Sequence, residues 1–441
     1  MLVEFSVENY RSIKERQTLS MVASTDKTML ESNSFAMPNS KKMRLLTSAA
    51  IYGANASGKS NLVQAIQILR SIVLNSASRM QVGDRFSIQP FLFDEESARK
   101  PTCFEVIFIH DNIRYEYGVS LDQNRVYEEW LLAYPKGRAQ TWFSREYNPE
   151  NPELKEEANG YEWSFPSLKG EKKRIQQLVR PNSLFLSHAA QNNHPQLTAI
   201  FHWFGDRLKV INTKVALRDY TASIYNQRPD FKKYILHLMF PADSGIDDIR
   251  VKAKPLSDRL QNAIDVFPDL LSEVGVAVQS DFPDKMLQLV ENSKTHDIVT
   301  VHKQKNDKLI ELKLEEESEG TQRLFELAGP WLEVLMEGKI LFVDELDRSM
   351  HPILARELVK MFNNPESNPK NAQLIFTTHD TTLLDSELFR PDQVWFTEKD
   401  KSQTQLYSLL EFRPRKDESL QRGYLLGRYG AIPFINGLNI S

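Results

Sequence analysis

The segment Gly53-Ala54-Asn55-Ala56-Ser57-Gly58-Lys59-Ser60 combines the residue types that hold a polyphosphate, and Asn61 stands directly behind it. In a loop of the form G-x-x-x-x-G-K-[ST], backbone N–H groups surround the phosphates. The lysine adds charge and the hydroxyl reaches a metal ion. Four later groups could complete such a site. Asp344-Glu345 offers one carboxylate for Mg2+, usually through water, and a second to polarise an attacking water. Ser318, Gly320 and Gln322 lie in Ser-Glu-Gly-Thr-Gln-Arg. A serine and a glycine at a helix start can donate to phosphate, with the helix dipole behind them. His379, in Thr-Thr-His-Asp, can contact a terminal phosphate, and Asp347 opens the polar loop that ends in His351-Pro352. Each group also has a structural reading: carboxylates ending a strand, an ordinary N-cap at Ser318, a satisfied buried histidine, a plain polar loop.

The elements that must position these groups are legible on both sides of them. Ala49-Ala50-Ile51-Tyr52 reads as a strand, and Leu62, Ile66 and Leu69 fall on one helical face. Strand, glycine loop and helix aim a helix N-terminus at an anion. Ile340–Val343 and Leu374–Phe376 are continuous apolar runs, as in strands buried on both faces. A helical pattern over Leu354–Phe362 between them completes a strand–helix–strand unit. The nucleotide domain is therefore split by a long insertion. Residues 1–20 read as a strand pair. Cys103–His110, Ile113–Leu121, Val126–Tyr134 and Thr141–Tyr147 form an antiparallel meander, with turns at Asp111-Asn112 and Gln123-Asn124. Residues 148–175 read as a polar surface excursion. Residues 195–270 carry helical patterns such as Leu197, Ile200, Phe201 and Phe204, and residues 298–314 alternate as strand. Gly320–Met336 is a helical pattern in which Pro330 should kink or break the helix.

Composition bounds the class. A chain of 441 residues exceeds one compact core, so two or three lobes are expected. Hydrophobic and charged fractions of 41% and 26% are those of a globular protein. No apolar run is long enough for a membrane span, and the start Met1-Leu2-Val3-Glu4-Phe5 lacks a signal-peptide pattern. Cys103 is the only cysteine, so no intrachain disulfide can form. These features predict a cytoplasmic protein with no membrane partner. The net charge of −4 argues against a wholly basic nucleic-acid surface and leaves a local groove open. Lys172-Lys173-Arg174 and Lys232-Lys233 read as solvated charge, and His188 and His194 as structural.

Taken in order, phosphate loop, Ser-x-Gly, Asp-Glu strand end, Leu-Asp loop and histidine strand end, the motifs resemble the ABC-type ATPase heads of the SMC, RecF and OLD group. The opening Phe5-Ser-Val-Glu-Asn9-Tyr10-Arg11-Ser12 is similar to that group's first strand. The implied fold is α/β, a P-loop ATPase head with a mixed sheet and an antiparallel β lobe, carrying a compact, mainly helical insertion. The implied domains are 1–180 and 298–441 for the two halves of the head, and 181–297 for a lid or partner-binding insertion. The resemblance implies ATP and Mg2+ as cofactors and two heads pairing head to tail around ATP, in a homodimer or higher homo-oligomer. Gly53, Asn55, Ala56, Ser57, Gly58, Lys59, Ser60 and Asn61 would hold the nucleotide, with Ser60 and Asp344 on the metal. Ser318, Gly320, Gln322 and Asp347 would reach ATP bound by the other subunit. Glu345 would be the general base and His379 the phosphate sensor. Gln89 would couple the metal to lobe movement, and Arg11 would approach the nucleotide.

Sustained heptads, which an SMC coiled coil needs, are absent. The 62 residues after His379 are too few for an OLD-type Toprim domain. The tail Tyr424-Leu-Leu-Gly427-Arg428-Tyr429-Gly430-Ala431-Ile-Pro433, with Phe185-Leu-Ser-His188 and Glu345–Pro352, resembles the RloA and AbiL group, to which the PARIS ATPase is related. That resemblance implies an anti-phage ATPase of abortive-infection or toxin–antitoxin type. It would control a separately encoded effector, such as a Toprim-like nuclease, with duplex DNA or a phage protein as trigger. The structural alternative for the tail is a buried turn with glycines at positive φ and a packed tyrosine. A RecF-like DNA-repair clamp and a non-hydrolysing nucleotide switch stay open as alternatives.

Overall fold

In the computed structural model, β1 (Leu2–Glu8) and β2 (Gln17–Ser20) form the expected opening pair, and a small ribbon of β3 (Ser34–Ala36) and β4 (Arg44–Leu46) follows. β5 (Ser48–Gly53) leads into the phosphate-loop helix Lys59–Asn75. The meander is β6 (Thr102–His110), β7 (Ile113–Leu121), β8 (Val126–Tyr134) and β9 (Gln140–Tyr147), extended by β10 (Tyr161–Ser164). β11 (Leu208–Ile211) comes next. β12 (Ile246–Lys254), β13 (Thr295–Lys303) and β14 (Leu309–Lys313) form a separate sheet. β15 (Ile340–Val343), β16 (Gln373–Thr377), β17 (Val394–Asp400) and β18 (Gln403–Ser408) return to the first body. The structure describes all residues except 39, 41, 152–159, 213–216, 241–244, 255–294, 305, 416–417 and 434–441.

The chain divides into two units, Met1–Thr213 with Val334–Arg348 and Ala355–Ser441, and Lys214–Glu333 with Ser349–Leu354. Of the stretch 181–297 expected as a helical insertion, 181–213 packs into the first unit and 255–294 lies outside the described residues. The rest holds helices Arg218–Gln227 and Pro229–Met239 together with β12.

Besides the β3–β4 ribbon, the described residues of the first unit form two larger sheets. One is antiparallel, in the order β10-β9-β8-β7-β6-β1-β2. The other is mixed, in the order β11-β15-β16-β5-β17-β18, and its first five strands are parallel. β5, β15 and β16 are buried at every residue, which is why they read as unbroken apolar runs. The phosphate-loop helix buries Leu62, Ile66 and Leu69 in a core shared with Phe5, Phe108 and Phe342. Trp203 stacks on Phe108 in that core with centroids 4.0 Å apart. Asp111 and Asn112 turn the β6–β7 hairpin with φ of 47° and 61°, the two positive values that a tight primed turn requires.

Three elements depart from the sequence reading. β10 lies in the supposed surface excursion, where four residues give too little alternation to register. Its anchor is tertiary: the buried Tyr161 hydroxyl donates to the Val126 carbonyl at 2.5 Å. β11 and β12 lie in the segment read as helical; β11 pairs in parallel with β15 and β12 antiparallel with β13. Residues 298–314, read as strand, hold most of the β13–β14 hairpin.

The second unit also resolves the Pro330 expectation. The helix Glu319–Glu337 runs unbroken through Pro330. Proline removes the N–H that would serve the Glu326 carbonyl one turn earlier. The Thr221 hydroxyl donates to that carbonyl at 2.9 Å and accepts the Gly329 N–H at 3.1 Å. A Cβ on Gly329 would lie 2.6 Å from Thr221 Oγ1. Thr221→Val keeps the shape and strands the carbonyl, so it should cost about 1–3 kcal/mol. Urea unfolding of the full chain checks this, and an unchanged midpoint contradicts it.

Candidate functional site

Gly53 and Gly58 frame the phosphate loop because the mixed sheet crowds both. At φ 153°, a Cβ on Gly53 would lie 2.4 Å from the Thr397 carbonyl, and at φ 108° one on Gly58 would lie 2.1 Å from Thr404 Oγ1. Hydroxyls from β17 and β18 brace the loop from behind. Ser57 Oγ lies 2.6 Å from Thr397 Oγ1, and Thr404 Oγ1 donates to the Ser57 carbonyl at 2.8 Å. Ser12 Oγ is 2.7 Å from Thr404 Oγ1 and receives Asn61 Nδ2 at 2.6 Å. The side chains of Ser57 and Asn61 thus hold the loop in shape, and Ser12 ties the N-terminal strand to it.

Lys59 is buried and donates to the Gly53 and Ala54 carbonyls at 2.8 and 3.0 Å. Burial lowers its pKa to about 8, against the opposing pull of Asp344, Glu345 and Asp347. Charged lysine is the form that attracts phosphate. Below pH 7 Lys59 is protonated, so nucleotide affinity should be level there. Above about pH 8 binding must first restore the proton, so affinity should fall by up to tenfold per pH unit. Calorimetric titration between pH 6 and 9.5 checks this, and affinity still level at pH 9.5 contradicts it.

Asp344 stands at the end of β15, buried, with its amide donating to the Ile211 carbonyl at 2.9 Å. Its Oδ1 accepts Ser60 Oγ at 3.1 Å and Thr377 Oγ1 at 2.7 Å. The same Thr377 hydroxyl accepts the Glu345 N–H at 2.7 Å. Glu345 takes φ 53°, a left-handed turn that costs a non-glycine residue energy, and the Leu346 N–H closes it on the Thr377 carbonyl at 3.0 Å. One threonine on β16 thereby sets both carboxylates. Asp347 accepts the His379 N–H at 3.3 and 3.4 Å. Burial first, then the Lys59 charge, lowers the His379 pKa, so its imidazole is neutral near pH 7.

Asn55 through Asn61, Glu345, His379 and Lys399 line one cavity of about 470 Å³. Lys399 is the lining residue that sequence reading missed, since it stands outside every motif. Gln89 is exposed, its carbonyl receives the Arg11 N–H at 2.8 Å, and neither residue lines this cavity. Ser60 and Asp344 supply hard oxygen donors that meet at one point, a set that fits Mg2+ completed by phosphate oxygens and water. No cluster of three or more His, Cys, Asp or Glu able to hold a metal occurs among the described residues.

In the second unit, Ser318 caps the helix Glu319–Glu337. Its Oγ accepts the Thr321 N–H at 3.1 Å and lies 2.8 Å from Thr321 Oγ1. Gln322 Nε2 donates to the Glu317 carbonyl at 2.8 Å. A Cβ on Gly320 would lie 3.1 Å from the Ser349 carbonyl, and Ser349 Oγ donates to Glu319 at 3.3 Å. The helix start and the segment after Arg348 are therefore built together.

Two other motifs have structural roles. The Phe185 and Leu186 amides donate to the buried Glu129 carboxylate at 2.8 and 3.0 Å, and Glu129 pairs with buried Arg145 at 3.0 Å. His188 lies 2.9 Å from Ser183 Oγ, and burial lowers its pKa to about 4. In the tail, Gly427 and Gly430 take φ of 74° and 66°, and Tyr424 stacks on Phe396 with centroids 5.4 Å apart.

Among solved structures, the SMC head domain from Thermotoga maritima is 13% identical, with 92% of this chain and 98% of that chain covered at a TM-score of 0.37. An SMC head bound to the C-terminal winged-helix domain of ScpA is 14% identical, with 92% and 97% covered at 0.38. CbiO1 from Clostridium perfringens, part of the ABC transporter complex CbiONQ, is 10% identical, with 98% of each chain covered at 0.30. Likeness at this level says nothing about activity. No curated protein matches the chain. No helix among the described residues is long and apolar enough to cross a membrane. Residues 48–162 and 203–385 match one family, and those ranges contain the phosphate loop, Asp344-Glu345 and His379. The chain, an α/β protein with a P-loop ATPase head, belongs to that family, described as AAA domain, putative AbiEii toxin, Type IV TA system.

Proposed function

We propose that this protein hydrolyses ATP with Mg2+ and uses the nucleotide state to control a separately encoded effector in bacterial anti-phage defence. The observation that carries the ATPase reading is the hydrogen-bonded chain Ser60–Asp344–Thr377–Glu345, whose first bond joins residues 284 apart in sequence. Phosphates sit in the loop against Lys59 and the helix N-terminus. Ser60 and Asp344 would hold Mg2+, which would supply neutralisation of the charge on the phosphates. Water attacks the γ-phosphorus, the bond to the β–γ bridging oxygen breaks, and Glu345 accepts the water proton. Neutral His379 donates a hydrogen bond to the terminal phosphate. In a head-to-tail dimer or higher oligomer, Ser318, Gly320, Gln322 and Asp347 would meet the nucleotide of the other subunit. The type IV toxin–antitoxin wording of the family supports a separately encoded partner. Lys59→Ala in the native operon should abolish protection in phage plating assays. Unchanged plating with normal protein levels removes the defence role.

A further inference from the structure

Lys399 has no motif to explain it, yet it lines the nucleotide cavity. Two features of β17 fix its direction. Successive side chains of a strand alternate, so Lys399 projects on the same face as Thr397. Thr397 faces the phosphate loop, with its Oγ1 2.6 Å from Ser57 Oγ. Directly opposed residues of an antiparallel pair also share a face, and Lys399 is paired with Thr404, whose hydroxyl reaches the Ser57 carbonyl at 2.8 Å. The hairpin is held tight: Asp400 pairs with Gln403, and Lys401 and Ser402 turn it with φ of 45° and 71°.

The sheet order places this cation on the other side of the loop from Asp344 and Glu345. β15 and β16 flank β5 on one side and β17 on the other. Lys399 is exposed, and among the described residues its ammonium has no hydrogen bond or ion pair, whereas Lys59 is bonded to loop carbonyls. A flexible, unpaired ammonium above a loop shaped for polyphosphate is placed to bond phosphate oxygens.

We infer that Lys399 is a second phosphate-binding cation, gripping the polyphosphate of the bound nucleotide from the β17 side. This rests on the nucleotide-site reading above. The test is titration of the full-length chain with a fluorescent ATP analogue and Mg2+, for wild type, Lys399→Ala and Lys399→Arg, with melting temperatures recorded alongside. Lys399→Ala should weaken binding about tenfold or more at an unchanged melting temperature. Lys399→Arg should stay within about threefold, because guanidinium also pairs with phosphate. If wild type binds and Lys399→Ala binds within about twofold of it, the inference is overturned while the nucleotide site stands. If wild type does not bind, the site reading fails and the inference fails with it.

Discussion

Glu345→Gln should lower ATP turnover by about 10²–10⁴-fold while leaving Mg-ATP affinity within about threefold. Glutamine preserves the shape and the backbone turn but cannot accept a proton. The turn itself depends on the Glu345 N–H and the Thr377 hydroxyl, which the substitution leaves in place. The lost step is therefore proton removal from the attacking water. If heads pair around ATP, the variant should also accumulate as an ATP-bound dimer, visible by light scattering. Single-turnover phosphate release separates chemistry from binding. Wild-type turnover in this variant would transfer the base role to another group and leave Glu345 with the structural role of a carboxylate ending a strand.

Glu129→Leu should be the most damaging change away from the site, at about 3–5 kcal/mol. Glu129 and Arg145 both have fully buried side chains, so removing the carboxylate leaves a guanidinium unpaired in the core. The Arg145 Nη2 contact with the Ser183 carbonyl at 2.5 Å remains, but it does not balance the charge. The Phe185 and Leu186 amides lose their acceptor in the same step. The double variant Glu129→Leu with Arg145→Leu should recover a large part of the loss, because apolar replacement of a buried pair is often near neutral. Thermal unfolding of the full chain measures both. Equal losses in the single and double variants would show that the amide cap, and not the charge pair, holds this region.

The parallel strands around the loop were legible because burial on both faces leaves an unbroken apolar run, as in Ile340–Val343. The meander was legible because its strands alternate over eight or nine residues each. β10 and β11 were not, since four residues carry too little pattern and their pairing is tertiary. Helix continuity through Pro330 was illegible for a related reason: its compensation is the hydroxyl of Thr221, more than a hundred positions earlier. In the candidate site, spacing singled out Lys59, Ser60, Asp344, Glu345 and His379, and the fold brings the five together. Spacing could not reveal that Ser57 and Asn61 spend their side chains on the scaffold, or that Thr377 sets both carboxylates. Lys399 carried no local signal at all. It emerges only once the β17–β18 hairpin lies beside the loop.

The most direct test is phosphate release from ATP by the purified full-length chain, with and without Mg2+, beside Lys59→Ala. The account predicts Mg2+-dependent release that Lys59→Ala abolishes. Release equal in wild type and Lys59→Ala, or none from wild type that demonstrably binds Mg-ATP, would contradict it.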